Sequence, residues 1–162
     1  VFFAVAALSI ALDMFTKRLV ETAMTLGETR TVIPGLLDLH FLQNYGAAYS
    51  ILQNRVDFLL VFTGILLAGI AVYYFRTRKK APLVERLCLS LIFGGGCGNF
   101  ISRAVVGCVT DFLDIHIIPV FNVADICVTG GCILLLIYYF FFEGKMSGAA
   151  DAPEGTDDGR QQ

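Results

Sequence analysis

The chain has 162 residues, 56% of them hydrophobic and only 16% charged, with 12 Lys and Arg against 14 Asp and Glu and a net charge of −2. A soluble domain carries about a quarter charged residues, so this balance disfavours an ordinary soluble fold. The absence of a basic face excludes a nucleic-acid binder. The composition predicts one membrane-embedded domain.

In chain order, the first apolar run covers about residues 1–20. It opens on Val1 without the basic start and small-residue cleavage site of a secretory leader, so it reads as a membrane span lacking its first residues. Asp13 and Lys17 stand four apart on one face of this run, the spacing of an intrahelical ion pair. Residues 21–55, "ETAMTLGETRTVIPGLLDLHFLQNYGAAYSILQNR", mix β-branched and aromatic residues with Pro34, Gly35 and Gly46. They predict short strands and turns, a small β platform lying on the outer leaflet. A second span, about 58–75, has no charge over 18 residues, and a third covers about 83–106. Within the third, Gly94 to Gly98 ("GGGCG") gives a small-residue face for close helix approach. The link 107–120 contains no Lys or Arg, and a fourth span at about 121–142 holds one charge, Asp125. The tail, 144–162, is small, acidic and polar, and reads as disordered.

The predicted fold is therefore a membrane all-α protein of four transmembrane helices, with a small extracytoplasmic β element between the first two, in a single domain over 1–143. The cluster "RTRKKAP" after the second span places that connection in the cytoplasm by the positive-inside rule, together with both termini and the tail. Residues 21–55 and 107–120 then lie outside. Lys17 and Arg18 fall at the outer end of the first helix, against the rule, and require snorkelling or a specific partner. The five cysteines occur singly, mostly inside apolar runs, as small packing residues do. His40 and His116 stand apart from any Cys or carboxylate cluster, which leaves no zinc site.

Asp111 follows the emergence of the third helix and Asp125 follows the start of the fourth. Antiparallel neighbours bring both to one depth near the outer interface. Two adjacent carboxylates cannot both ionise cheaply; they share a proton and can activate a water between them. Spacing alone also allows the plainer account, in which Asn122 and Asp125 cap a helix and Asp111 is a solvated loop residue. Asp114 reads as structural. Asn44, Asn99, Arg103 and Asn122 share the same depth, where Arg103 can answer carboxylate charge and the asparagines can grip a peptide main chain.

In order along the chain, "DMFTK" (Asp13 to Lys17), "NYGAAYS" (Asn44 to Ser50), "GNFISR" (Gly98 to Arg103), "GCVTDF" (Gly107 to Phe112) and "FNVAD" (Phe121 to Asp125) resemble the five boxes of the bacterial lipoprotein signal peptidases, the type II signal peptidases. The resemblance implies an aspartic endopeptidase of the plasma membrane. It would cut a prolipoprotein just before a diacylglyceryl-modified cysteine at the extracytoplasmic face. Asp111 and Asp125 would form the catalytic dyad, and Asn44, Gly46, Asn99, Arg103 and Asn122 would line or brace the substrate site. Asp13, Lys17 and Ala124 would support the fold. No metal or cofactor is implied, the partners are the lipid-modified substrate and membrane lipid, and a monomer is expected. Ser102 departs from the acidic residue common before the third-box arginine, Thr110 replaces a β-branched apolar residue, and the link between the aspartates is short.

Two rival readings come from other classes. A small transporter or channel component would use Asp111, Asp125 and Arg103 as an ion relay, although four spans without a repeat leave little room for alternating access. A noncatalytic membrane scaffold would use the aspartates as caps. Replacing each aspartate by asparagine separates the three.

Overall fold

A computed structural model describes residues 1–46 and 55–143. Its elements run α1 (Phe2–Ala23), β1 (Thr29–Ile33), β2 (Leu37–Asn44), α2 (Val56–Thr77), α3 (Leu83–Val106), β3 (Val109–Asp114) and α4 (Val123–Tyr138), the last prolonged by a π-helical turn at Tyr139–Glu143. The end of the expected platform (47–54) and the expected disordered tail (144–162) lie outside the described residues.

Among the described residues three helices, Val56–Thr77, Leu83–Val106 and Val123–Phe141, are long and apolar enough to cross a membrane. The first helix has comparable length, 22 residues, but concentrates Asp13, Lys17, Arg18 and Glu21 in its second half. Its polarity is inside out. The face turned into the protein is Phe2, Ala6, Ser9, Asp13, Lys17 and Val20, whereas Leu8, Leu12, Phe15 and Leu19 are exposed.

Helix α3 is the centre of the bundle, with α1, α2 and α4 against it and α1 also touching α4. The glycine run predicted to allow close approach does so: a Cβ on Gly94 would meet Ala6 and Ser9 of α1, and one on Gly95 would meet Ala124 and Cys127 of α4. At the end away from the sheet, Phe2, Tyr74 and Leu89 form an apolar cluster joined by Phe93 and Leu135, so all four helices meet there. Phe2 stacks on Tyr74 with ring centroids 3.9 Å apart.

The sheet is antiparallel in the order β1-β2-β3. Two strands arise in the expected platform, but the third, β3, comes from the link between α3 and α4, for which the sequence predicts no strand. Helix α3 ends on Gly107, whose φ of +82° lies in the left-handed region. Glycine takes that conformation without a Cβ penalty, and the chain turns there directly into β3. Val20 and Met24 at the end of α1 pack with Phe41 and Phe112 of the sheet, which ties the sheet to the bundle.

Candidate active site

The chain returns from β3 to α4 by a short path. Phe121 pairs with Leu113, its N–H donating to the Leu113 carbonyl at 3.0 Å and its own carbonyl accepting from Phe112 and Leu113 at 3.0 and 2.8 Å. The next residue, Asn122, is fully buried and starts α4 with a capping box: its side chain accepts from the Asp125 N–H at 3.0 Å, and the Asp125 side chain accepts from the Asn122 N–H at 3.1 Å. The plain capping account is thus correct for Asp125, and it does not compete with a site. The cap fixes which way the carboxylate points.

Asp111 lies on β3, opposite Leu42 of β2. Asn44, two residues further on the same face of β2, donates from Nδ2 to Asp111 Oδ2 at 2.9 Å. Asn122 Nδ2 donates to Asp111 Oδ1 at 2.6 Å, and Asn99 Nδ2 of α3 donates to Asp125 Oδ1 at 2.8 Å. With the backbone N–H of Asn122 on Asp125 Oδ2, each of the four carboxylate oxygens receives one donor from these asparagines. A carboxylate oxygen has two acceptor positions, so both side chains are held while each oxygen keeps capacity for a water or a shared proton.

Asp111 is buried. Burial foremost pushes its carboxyl from 3.8 up to about 6, the Asp125 charge adding to the rise and the bonds from Asn44 and Asn122 and the charge on Lys17 opposing it. A carboxyl in that range exchanges its proton near neutral pH, which suits acid–base work.

Two cations flank the carboxylates. Lys17, also buried, donates to Asp13 Oδ2 at 2.7 Å, Asn99 Oδ1 at 2.9 Å and Ser102 Oγ at 3.3 Å. The expected i,i+4 pair is present, and it resolves why a lysine stands at this depth; Arg18, by contrast, is exposed and only loosely paired with Glu21 at 3.7 Å. Arg103 donates to the Gly46 carbonyl at 2.9 Å, while Gly46 N–H donates to Asn44 Oδ1 at 2.9 Å. Arg103 Nε is buried with no hydrogen-bond partner among the described residues.

The structure therefore gathers Asp13, Lys17, Asn44, Gly46, Asn99, Arg103, Asp111, Asn122, Ala124 and Asp125 into one network at the meeting of α1, α3, α4 and the sheet. The rest of the second box, 47–50, lies outside the described residues. The asparagine amides are committed to the carboxylates rather than standing free. Sequence reasoning missed that Asp13 Oδ1 accepts from the backbone N–H of Ala124 at 2.9 Å and that Thr110 Oγ1 donates to Glu21 Oε1 at 2.6 Å, fastening β3 to α1. Hydroxyl in place of hydrocarbon at position 110 was the only signal for the latter. The histidines, isolated in sequence, are not isolated in space: His40 approaches Asp114 at 3.7 Å, and His116 lies 3.6 Å from both Asp38 and Asp114. That group is at the far end of the β2–β3 pairing, remote in register from Asp111.

A helical membrane protein with a small sheet that presents two fixed carboxylates at the helix–sheet junction is the class these features define. The family model for signal peptidase (SPase) II matches residues 5–141. A lipoprotein signal peptidase of Brevibacillus brevis is 44% identical over 136 residues, covering 83% of this chain and 91% of the relative. One from Streptococcus pyogenes serotype M5 is 42% identical over 130 residues, covering 79% and 85%. A solved structure described as a bacterial membrane enzyme superposes with a TM-score of 0.83 at 32% identity, over 95% of this chain and 94% of that one. The chain belongs to the signal peptidase II family, and with that family it is a membrane peptidase of lipoprotein processing.

Proposed function

We propose that the protein hydrolyses the peptide bond preceding a diacylglyceryl-modified cysteine in a prolipoprotein, with Asp111 and Asp125 as an aspartic dyad. The observation that carries this reading is the pair of carboxylates whose four oxygens each take one asparagine donor and keep room for one more partner. With one proton shared between them, the ionised carboxylate takes a proton from a bound water as its oxygen attacks the scissile carbonyl. The protonated one donates to the carbonyl oxygen. Collapse of the tetrahedral intermediate passes a proton to the leaving amine and restores the singly protonated pair. No metal or cofactor enters the step. Asn44, Asn99 and Asn122 act by holding the carboxylates. Arg103, with its spare Nε donor, and the Gly46 backbone it grips form the wall against which the substrate chain lies.

The surrounding architecture follows. All four helices span the bilayer, α1 included, because its outward face is apolar as far as Phe15, its buried charges Asp13 and Lys17 satisfy each other, and the exposed Arg18 and Glu21 fall at its end. The peptidase domain covers 1–143, with 144–162 as a cytoplasmic tail. The Arg76–Lys80 connection and both termini face the cytoplasm of a bacterial plasma membrane, which sets the sheet and dyad at the extracytoplasmic interface. A substrate whose cut site is anchored in the leaflet by acyl chains arrives at that depth, so the enzyme works as a monomer on a partner delivered by lipid.

The test is cleavage of a diacylglyceryl-modified precursor by purified protein in lipid. Asp111→Asn and Asp125→Asn each reduce turnover by about a thousandfold or more and remain folded. Retained cleavage with either variant overturns the dyad, and equal cleavage of unmodified precursor overturns the substrate assignment. Ion flux without proteolysis supports the relay instead.

A further inference from the structure

Five ionisable groups lie in the network around the dyad: Asp13 and Lys17 from α1, Arg103 from α3, Asp111 from β3 and Asp125 from α4. Strand β2 contributes the neutral Asn44 there, the Cys108 thiol ahead of β3 is kept protonated chiefly by burial and lies within electrostatic reach of Asp111, and Glu21 of α1 is bound to Thr110. Three carboxylates thus face two cations. Fully ionised, the set carries −1, and one proton on the Asp111–Asp125 pair brings it to zero. Charge buried near hydrocarbon is stable only when it is balanced, so the inventory favours the singly protonated pair.

Ser102 fixes that inventory. It is the third group within reach of Lys17 Nζ, at 3.3 Å, and it is neutral, its own hydroxyl donating to the Gly98 carbonyl at 3.0 Å. Among the described residues Lys17 therefore has one ionic partner, Asp13. Its remaining field is directed at the dyad through Asn99, which accepts from Lys17 at 2.9 Å and donates to Asp125 at 2.8 Å. Beside Ser102 the protein is open. A groove of about 250 Å³ runs between α1 and α3, bordered by Met14, Lys17, Arg18, Ser102 and Val105, so a longer side chain at position 102 fits without displacing the helices.

We propose that Lys17 is a positioning residue for the dyad's working proton, and that the neutral side chain at position 102 sets the pH range of cleavage by leaving the lysine's charge uncompensated on that side. This rests on the dyad reading given above. A carboxylate added next to Lys17 cancels part of its field and makes the dyad hold protons more tightly. Both limbs of the pH profile then move upward.

The experiment is the pH profile of kcat/KM on a lipid-modified precursor, in reconstituted full-length protein. Ser102→Asp displaces both limbs to higher pH by about half a unit or more, while Ser102→Asn, of the same shape without charge, leaves their positions unchanged. Asp13→Asn, which removes a negative charge and keeps an acceptor oxygen for one of the two donors on Asp13, displaces them to lower pH. A Ser102→Asp profile that superposes on the unmodified protein, or a Ser102→Asn profile that moves with it, overturns the proposal. If Ser102→Asp fails to fold, an unmoved Asp13→Asn profile overturns it equally. Asp111→Asn and Asp125→Asn, run alongside, separate this failure from the other: residual cleavage in them removes the dyad itself, whereas inactive dyad variants with unmoved profiles remove only the role of Lys17 and Ser102.

Discussion

Asp13 of α1 accepts a hydrogen bond from the backbone N–H of Ala124, in the first turn of α4, at 2.9 Å and across 111 positions of sequence. The same carboxylate pairs with Lys17 at 2.7 Å. Removing it leaves a buried cation without its counter-charge and a helix-start N–H without an acceptor. Asp13→Ala is expected to cost about 3–5 kcal/mol, seen as a large loss of thermal stability in detergent, and Asp13→Asn is expected to cost clearly less.

Gly98 makes that contact possible. A Cβ at this position would lie 2.5 Å from Asp13 Oδ2, inside van der Waals contact with a side chain already held by Lys17 and by the Ala124 N–H. Gly98→Ala is expected to lose about 1–3 kcal/mol, and activity should fall with it. A thermal melt unchanged from the parent protein would show that α1 and α3 can separate more easily than their packing implies.

Asn122 joins two tasks, closing the first turn of α4 and donating to Asp111. Asn122→Ala loses a helix cap, about 0.5–2 kcal/mol of stability. It also takes the Nδ2 donor away from Asp111 Oδ1, while the backbone N–H at position 122 still reaches Asp125, for about a hundredfold loss of kcat or more. Asn122→Ser restores part of the cap without the amide donor, so stability should recover further than turnover does.

Acid titration of stability reports on Asp111. Its carboxyl is pushed up, chiefly by burial, from 3.8 to about 6, so the folded state binds this proton more tightly than the unfolded chain. The contribution to stability is therefore full below about pH 4 and is lost as pH rises to about 6. Asp111→Asn cannot ionise. The stability of the parent protein relative to this variant is expected to fall across that window by about 3 kcal/mol, measured as paired melts from pH 4 to 7.5. A constant difference would mean that Asp111 titrates as it does in the unfolded chain.

The helices were legible because apolar runs of nearly 20 residues have few alternatives; α3 spans 83–106 in both the reading and the structure. The third strand was not. "VTDFLD" has β-forming residues, but two aspartates interrupt the pattern, and its partner strand lies some 70 positions earlier, beyond the reach of any local rule. The polar residues that gather around Asp111 and Asp125 stand out by type among apolar runs, yet their partners do not. Nothing in the spacing says that Asn44 holds Asp111 while Asn99 holds Asp125, since those pairings depend on a strand register and a helix rotation. In space the cap and the carboxylate pair share residues: Asn122 closes the first turn of α4 and also donates to Asp111.

The bond from Asp13 to Ala124 also orders events during synthesis. The acceptor is made at the beginning of the chain and the donor near its end, so the first helix waits, its carboxylate held only by Lys17, until the last one has left the ribosome and docked. A chain cut short before α4 would carry Asp111 and no Asp125, and the two carboxylates come together only with the final docking.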